Sequence, residues 1–201
     1  MKITAITLSA LVVTASFHSF ANDGDEWMET TQRNGIVTYV GQKNHRGIRP
    51  TRASMVLEAS QKEVLEVIYG IDEYTDWVPK CADAKKLESK LDSNIYFYQV
   101  FEAPFIKDRD LITRIESSES GSVQTVRMIS EPYKGKTAWG KVRIKHFKAE
   151  YTITDLGNGF AKVEMQSEID MEGIPSFLLN WANESQPFET FSRLREQILN
   201  S

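Results

Sequence analysis

A long helical pattern occupies residues 173–201. Its large apolar residues are spaced mostly three or four positions apart, or by whole turns, which places them on one face of a helix. Pro175 suits a first helical turn, whereas Pro187 removes a backbone hydrogen bond in the middle of the pattern, so we expect a kink or a short break there. A helix this aromatic predicts a large apolar surface opposite it. The apolar residues are Ile174, Phe177, Leu178, Trp181, Phe188, Phe191, Leu194 and Ile198.

Alternating apolar and polar positions predict an antiparallel sheet ahead of this helix. The clearest signal is a hairpin of residues 139–155 and 160–171 across the turn Asn158-Gly159. In its second strand apolar and polar residues alternate strictly, which predicts one dry and one wet face. Further strands are predicted at residues 36–40, 52–58, 94–102, 109–117 and 122–130.

Two helical segments are predicted between the early and the late strands. Ser60 and Glu63 form a capping box that opens the first helix. The second covers residues 72–77, and we expect its Tyr74 and Trp77 to pack in the core.

The order of these elements predicts the fold class. Residues 23–32 are interpreted as a short acidic helix or an extended arm, with Trp27 as its anchor. After it come strands, a helix pair, more strands and the long helix. This order predicts an α+β fold, with one antiparallel sheet and the helices on a single face.

The N-terminal residues predict export. Lys2 is followed by an uncharged stretch that ends Ser19-Phe20-Ala21, a small-x-small cleavage pattern. The stretch is too short and too rich in Ser and Thr to favour a membrane span. We therefore interpret residues 1–21 as a signal peptide cleaved after Ala21 and residues 22–201 as a single domain, and we expect the product in the periplasm or secreted.

Charge and cysteine content exclude several classes of function. The chain has a formal net charge of −4 at pH 7, which argues against general nucleic-acid binding. Cys81 is its only cysteine, so no internal disulfide can form. Beyond the signal segment only Cys81, His45 and His146 could supply a Cys/His metal cluster, which is too few. Without a known hydrolase, metalloprotease or phosphate-loop motif, we assign no catalytic residue, metal or cofactor.

Four segments follow one another along residues 27–199. They are Asn34-Gly35-Ile36-Val37-Thr38-Tyr39, Tyr74-Thr75-Asp76-Trp77-Val78-Pro79-Lys80-Cys81, Ala103-Pro104-Phe105-Ile106-Lys107-Asp108-Arg109-Asp110 and Gly173-Ile174-Pro175-Ser176-Phe177-Leu178-Leu179-Asn180. Together they resemble the START domain, the lipid-transfer module with the helix-grip fold. The resemblance implies a curved antiparallel sheet wrapped around the long C-terminal helix. It also implies a hydrophobic tunnel between them that holds one lipid-like molecule without covalent bonds, metal or redox cofactor.

The resemblance also implies a set of tunnel residues. The C-terminal helix would grip the ligand and act as its gate, with Pro187 as the flex point, although its Met and aromatic neighbours could equally form a filled core. In sterol-binding members an arginine faces the cavity six residues after the Arg of the Arg-Asp pair. This chain has Ile115 there, and Arg114 lies on the opposite strand face, which puts a sterol-hydroxyl contact in doubt. The predicted lining residues are Met55, Arg109, Leu111, Thr113, Ile115, Met165, Ile169, Phe177, Leu178 and Trp181.

Two groups of charged residues have more than one interpretation. For Arg109 and Asp110 we favour a structural role at the start of a strand, because adjacent strand residues point to opposite faces. Alternation places Lys141, Arg143 and Lys145 on one face, which is either an ordinary solvated face or a surface that docks on anionic lipid headgroups.

We predict a monomeric, non-enzymatic protein that binds and carries one lipid or other amphiphile. Two alternatives stay open. One is an enzyme resembling polyketide aromatase/cyclases, with Arg109, Thr113 and Tyr98 as the groups that would move protons. The other is a protein-interaction module with a filled core.

Overall fold

The computed structural model describes residues 26–88, 94–103, 106–132, 134–171, 173–174 and 176–201, and in residues 176–178, 180 and 181 only the backbone. The predicted signal peptide and Pro175 lie outside these residues, so the domain boundary after Ala21 stays a prediction.

The described chain forms one ten-stranded sheet with helices, and the predicted α+β class is confirmed. The elements are β1 (Trp27–Arg33), β2 (Ile36–Gly41), β3 (Thr51–Leu57), α1 (Gln61–Tyr69), a 3-10 turn (Ile71–Glu73), α2 (Tyr74–Trp77), β4 (Cys81–Leu87), β5 (Ile95–Phe101), β6 (Arg109–Ser120), β7 (Val123–Ser130), β8 (Val142–Arg143), β9 (Phe147–Gly157), β10 (Phe160–Ile169) and α3 (Ser176–Leu199).

The sheet is antiparallel along its whole main path. Its strand order is β1-β2-β3-β10-β9-β7-β6-β5-β4, and the short β8 pairs in parallel with the start of β6. The helix α3 packs on β2 and β3 and touches α1 and α2. The helices therefore share one face of the curved sheet, as predicted, and we call this its inner face.

The core lies between this inner face and the helices. Phe191, Leu194 and Ile198 of α3 are almost fully buried against it. Tyr74 and Trp77 are also buried, with ring centroids 5.0 Å apart in an edge-to-face contact, and the Tyr74 hydroxyl donates to the Ile68 carbonyl at 2.5 Å. The prediction that these two aromatic residues pack in the core is confirmed.

The capping box predicted at Ser60 is confirmed, whereas the helix considered for the N-terminal segment is not. The Ser60 hydroxyl accepts from the Glu63 N–H, and the Glu63 carboxylate accepts from the Ser60 N–H at 2.6 Å, so the capping box is present. Residues 27–33 form a strand paired with β2, so of the two interpretations of this segment the acidic helix is wrong and the chain is extended. Trp27 lies beneath the Arg52 guanidinium, 3.8 Å from ring centroid to carbon. The strand β4 was not predicted.

Of the kink or short break expected at Pro187, the break is wrong, because α3 runs without interruption from Ser176 to Leu199. Pro187 itself is buried, and the residues that follow it pack tightly in the core. A proline removes only one hydrogen bond and makes one local clash, and tertiary packing of the apolar face can maintain the helix around it.

The predicted single strand over residues 139–155 is wrong. Residues 139–140 form a turn, β8 covers only Val142–Arg143, and β9 begins at Phe147. The physical reason is a second pairing partner: Val142 and Arg143 align in parallel with Arg109 and Asp110. The first part of the segment thus joins β6 instead of extending β9.

The outer face of β10 is not wet along its whole length. Lys162 and Glu164 are only 9% and 6% exposed, and the Lys162 ammonium lies 2.8 Å from the Glu164 carboxylate. Strict alternation predicted a solvated face here. In a strand between β3 and β9, long charged side chains instead cover one another and pair.

An ion pair on the outer face of β6 is fully removed from solvent. Two Arg143 nitrogens, Nε and Nη2, each donate to one oxygen of the Asp110 carboxylate at 2.9 Å, and the two side chains are 6% and 0% exposed. The Ala138 N–H donates to the same carboxylate at 3.1 Å. Arg143 also donates to the carbonyls of Pro132 and Lys136, both at 3.1 Å. The structural role predicted for Asp110 fits this arrangement.

We predict that Asp110→Ala lowers the free energy of unfolding by about 3–5 kcal/mol, because it leaves the Arg143 charge buried and unpaired. Urea unfolding at pH 7 measures the change. Lys62→Ala serves as the control, since it removes an exposed i,i+4 pair with Glu66 and should cost less than about 1 kcal/mol. Equal losses in the two variants would contradict the prediction.

The same pair predicts the direction of a pH dependence. Burial alone would raise the pKa of Asp110, but hydrogen bonds from Arg143 and the Ala138 N–H outweigh it and hold that pKa below its usual value. A depressed carboxyl pKa gives stability that is present above the unfolded-state pKa and lost as the pH falls through the folded-state value. Acid should therefore destabilise the wild type more steeply than Asp110→Ala.

Candidate ligand cavity

The strand register gathers several loops at one end of the sheet. Thr51 at the start of β3 faces Ser167 near the end of β10, and Phe101 at the end of β5 faces both Cys81 and Arg109. The loops beside these residues therefore lie at the same end, which we call the mouth. The mouth consists of residues 42–50, 78–80, 102–103, 106–108, 170–171 and 173–174.

A cavity of about 450 Å³ lies between the mouth loops, the inner face of the sheet and α3. Its sheet wall is formed by residues close to the mouth end of their strands, among them Met128, Ala149, Tyr151, Met165 and Ile169. Its helix wall includes Leu179, Ala182, Gln186, Pro187 and Thr190 of α3. The cavity thus occupies the mouth half of the inner face. The other half is filled by the core.

Three of the predicted tunnel residues line the cavity: Arg109, Met165 and Ile169. Four others are buried but do not line it, namely Met55, Leu111, Thr113 and Ile115. Leu111, Thr113 and Ile115 share the inner face with Arg109 but lie progressively farther from the mouth along β6. Phe177, Leu178 and Trp181 belong to α3, and their side chains lie outside the described part of the chain.

The helix α2 contributes two aromatic residues that were not predicted as lining. Tyr74 and Trp77 are core residues, and both also line the cavity. On the facing sheet, Tyr151 is buried, and burial raises the pKa of its hydroxyl well above the usual value. The pKa of Tyr74 is raised by burial in the same way. These phenols stay neutral at physiological pH, so they add no charge to the wall.

Positive charge at the mouth was also not predicted. Five cationic and two acidic side chains line the cavity there: Lys43, Arg46, Arg49, Lys80 and Arg109, with Glu102 and Asp170. Three of the cations fall within the loop of residues 43–49. In the sequence, the only signal for this positively charged mouth was the high density of basic residues just before the strand that begins at Thr51.

Two buried N–H donors in the cavity wall lack an acceptor among the described residues. They are Nε of Arg49 and Nε1 of Trp77. A buried donor left without a partner costs about 1–3 kcal/mol, which makes both atoms candidates for contact with a ligand. Arg109 also lines the cavity and is 4% exposed, with its Nη1 donating to the Lys107 carbonyl.

The three residues of the enzyme alternative do not come together. Arg109 lines the cavity, and Thr113 is buried deeper on the same face. Tyr98 instead lines a shallow hollow on the outer face, where Lys85 lies 5.3 Å from its ring centroid. Burial, followed by the nearby Asp110 carboxylate, raises the pKa of Tyr98.

The predicted docking face needs a correction. Arg143 is buried in its pair with Asp110, so it cannot contact a membrane. Lys141 lies 3.3 Å from the Asp108 carboxylate, and Lys145 is exposed. Alternation failed because residues 144–146 are not in a strand. The prominent exposed residue of this segment is Trp139, which is 99% exposed.

Three further features bear on other kinds of site. The described residues contain no group of three or more His, Cys, Asp or Glu placed to hold a metal ion. Among the described helices, none combines the length and apolar character required to cross a membrane. Cys81 is buried, and burial raises the pKa of its thiol despite hydrogen bonds with Gln99 and Asp83.

Comparison with known proteins gives structural relatives only. No protein-family model and no curated protein sequence matches the chain. A STAR-related lipid transfer protein fragment from Xanthomonas axonopodis is similar, with a TM-score of 0.78 and 27% identity over 86% of this chain and 98% of the fragment. Human STARD10 has a TM-score of 0.76 and 17% identity over 87% of this chain and 73% of its own.

An enzyme shares the architecture less closely. The Zhui aromatase/cyclase of Streptomyces sp. R1128 has a TM-score of 0.51 and 12% identity over 76% of this chain and 92% of its own, which shows the fold alone. The sheet order, the gripping helix α3 and the likeness to the Xanthomonas lipid transfer protein agree with the four sequence segments. The chain has the helix-grip fold of START domains and resembles the STAR-related lipid transfer proteins.

Proposed function

We propose that this protein binds one amphiphile without covalent chemistry in the cavity beneath α3 and carries it between membranes. The main support for this proposal is the cavity itself, which lies in the mouth half of the inner face. Its wall includes the apolar residues Met128, Ala149 and Met165. Flexible methionines suit an aliphatic chain because they adapt to its shape. The likeness to the STAR-related lipid transfer protein of Xanthomonas axonopodis supports the same function.

The cavity volume favours a ligand with one aliphatic chain. A volume of about 450 Å³ lies within the range of roughly 300–1,000 Å³ of small-molecule sites. A cavity of this size suits one aliphatic chain with its headgroup. Each buried CH₂ contributes about 0.8 kcal/mol, so one chain can bind firmly.

A carrier role is favoured over an enzymatic one by the scattered positions of the candidate catalytic groups. Proton transfer requires an acid or base within hydrogen-bond reach of the reacting group. Arg109 alone of the three candidates lines the cavity, while Tyr98 faces the outer hollow.

We place the carrier beyond the inner membrane, on the basis of the signal-peptide pattern of residues 1–21, and fractionation of expressing cells tests this location.

The mouth end is the surface we propose for membrane docking. Trp139 projects there because β8 runs parallel to β6, which brings the preceding turn beside residues 106–108. The Val142 N–H donates to the Asp108 carbonyl at 2.9 Å, and Ile106 is 38% exposed beside the cavity. Exposed tryptophan suits the membrane interface, and nearby Lys136 favours anionic headgroups. A ligand would then pass directly between the bilayer and the cavity.

We predict that gently purified protein contains an extractable single-chain amphiphile, identified by mass spectrometry of the extract.

Ala149→Leu should reduce binding of a fluorescent fatty-acid probe about ten-fold, because the larger side chain extends into the cavity. It should change the free energy of unfolding by less than about 1 kcal/mol.

Ala161→Leu is the matched control for this experiment. Ala161 is fully buried on the neighbouring strand and does not line the cavity. Its variant should lose about 1–3 kcal/mol of stability by overpacking while it still binds the probe. If no amphiphile is extracted and no probe binds saturably, the proposed function fails.

We predict that Trp139→Ser weakens association with vesicles of mixed phosphatidylglycerol and phosphatidylcholine several-fold and leaves the unfolding transition unchanged, since a 99% exposed side chain makes little contact with the fold. Binding should weaken as salt rises, because the lysine contribution is screened. Vesicle co-sedimentation measures both effects. Leu199→Ser, an exposed apolar residue at the opposite end of α3, is the control, and an equal effect there would argue against docking by the mouth.

A further inference from the structure

We propose that the ligand is anionic, with a carboxylate or phosphate headgroup held at the mouth by Arg49 and its aliphatic chain directed into the cavity. This inference rests on the proposed function and names the class of amphiphile. Three independent features carry it: the balance of charge in the cavity wall, the chemistry of its unpartnered donors and the rigidity of the loop that presents Arg49.

The balance of charge at the mouth is positive. Lys43, Arg46, Arg49 and Lys80 line the cavity, and none of these four forms an ion pair with a described residue. Arg109 adds a fifth cation, against two acids, Glu102 and Asp170. The protein as a whole is acidic, with a net charge of −4. Four basic side chains without an ion-pair partner in the described chain thus line one cavity of an acidic protein, which points to an anionic occupant.

The Asp110 carboxylate does not compete for these cations. It lies on the outer face of β6 and is satisfied by Arg143 and the Ala138 N–H. Arg109 points to the inner face, because adjacent strand residues face opposite ways. Arg109 therefore lies in the cavity wall, while Asp110 lies on the outer face of β6.

The unpartnered donors match an acceptor-only headgroup. Nε of Arg49 and Nε1 of Trp77 are buried in the wall and have no acceptor in the described chain. Both groups can donate but not accept. Carboxylate and phosphate oxygens only accept, and they pair with guanidinium in charge-assisted hydrogen bonds. A neutral hydroxyl would bring a proton of its own and no charge to offset that of arginine.

The loop that carries Arg49 is held in place before any ligand arrives. The Asn44 side-chain oxygen accepts from the N–H groups of Arg46 at 2.9 Å and Ile48 at 3.1 Å. The Asn44 amide donates to Glu168 on β10 at 2.8 Å, and Ile48 is only 8% exposed. Arg49 follows this buried anchor directly, so its position costs little ordering on binding.

The test compares ligands that share a sixteen-carbon chain and differ in the headgroup: hexadecanoic acid, hexadecyl phosphate, hexadecanol and methyl hexadecanoate. Displacement of a fluorescent fatty-acid probe from the delipidated full chain at pH 8 gives the affinities. At least one anion should bind about ten-fold more tightly than both neutral ligands, and the preferred anion identifies the headgroup as carboxylate or phosphate.

Arg49→Gln should weaken the preferred anion about ten-fold and leave hexadecanol unchanged. Arg193→Gln, on the exposed side of α3, is the matched control and should change neither. If the neutral ligands bind as tightly as the anions, or if Arg49→Gln weakens all four equally, the anionic assignment is overturned while the carrier function stands. If none of the four binds saturably, the proposed function itself fails.

Discussion

The turn that carries Trp139 depends on the buried ion pair between Asp110 and Arg143. A bidentate pair removed from water is stable only when the remaining donors are also satisfied, and here the Pro132 and Lys136 carbonyls accept from Arg143. The same contacts fix the chain that precedes Trp139. The pair therefore sets the position of an exposed aromatic turn on the outer face, while Arg109, its neighbour along the strand, is directed to the cavity.

The inner face divides into a packed half and a hollow half, and the division separates stability from binding. Phe191, Leu194 and Ile198 of α3 are buried against the packed half, where they maintain the helix beyond Pro187. Near the mouth the same helix instead bounds the cavity with Ala182 and other residues. A single helix can thus be rigid at its C-terminal end and still cover a space at its N-terminal end.

Sequence patterns predicted what depends on neighbours along the chain. The capping box at Ser60, the hairpin turn at Asn158-Gly159 and the long final helix all have local causes, and all are present. Alternation also assigned Ile115 to the inner face and Arg114 to the outer one. Alternation does not show how far along a strand the cavity extends. It therefore could not separate Arg109, which lines the cavity, from Leu111 and Thr113, which do not.

The wrong and missed predictions have non-local causes. Arg143 is buried because β8 pairs with β6, a partner more than thirty residues away in sequence. The charged loop of residues 43–49 reaches the cavity only because the sheet register brings β3 and β10 side by side. No periodicity within either segment contains that information, so the basic mouth appears only once the strands are paired.

These features together constrain how an amphiphile could be held. The far half of the inner face is filled by buried side chains such as Ile115 and Met55, so an aliphatic chain that enters from the mouth must end against them. Its polar end then stays among the mouth loops, where water and unpaired cations can solvate it. Burial of the chain and pairing of the headgroup are thus satisfied in one orientation, because reversal would put a charge into the apolar end at high cost.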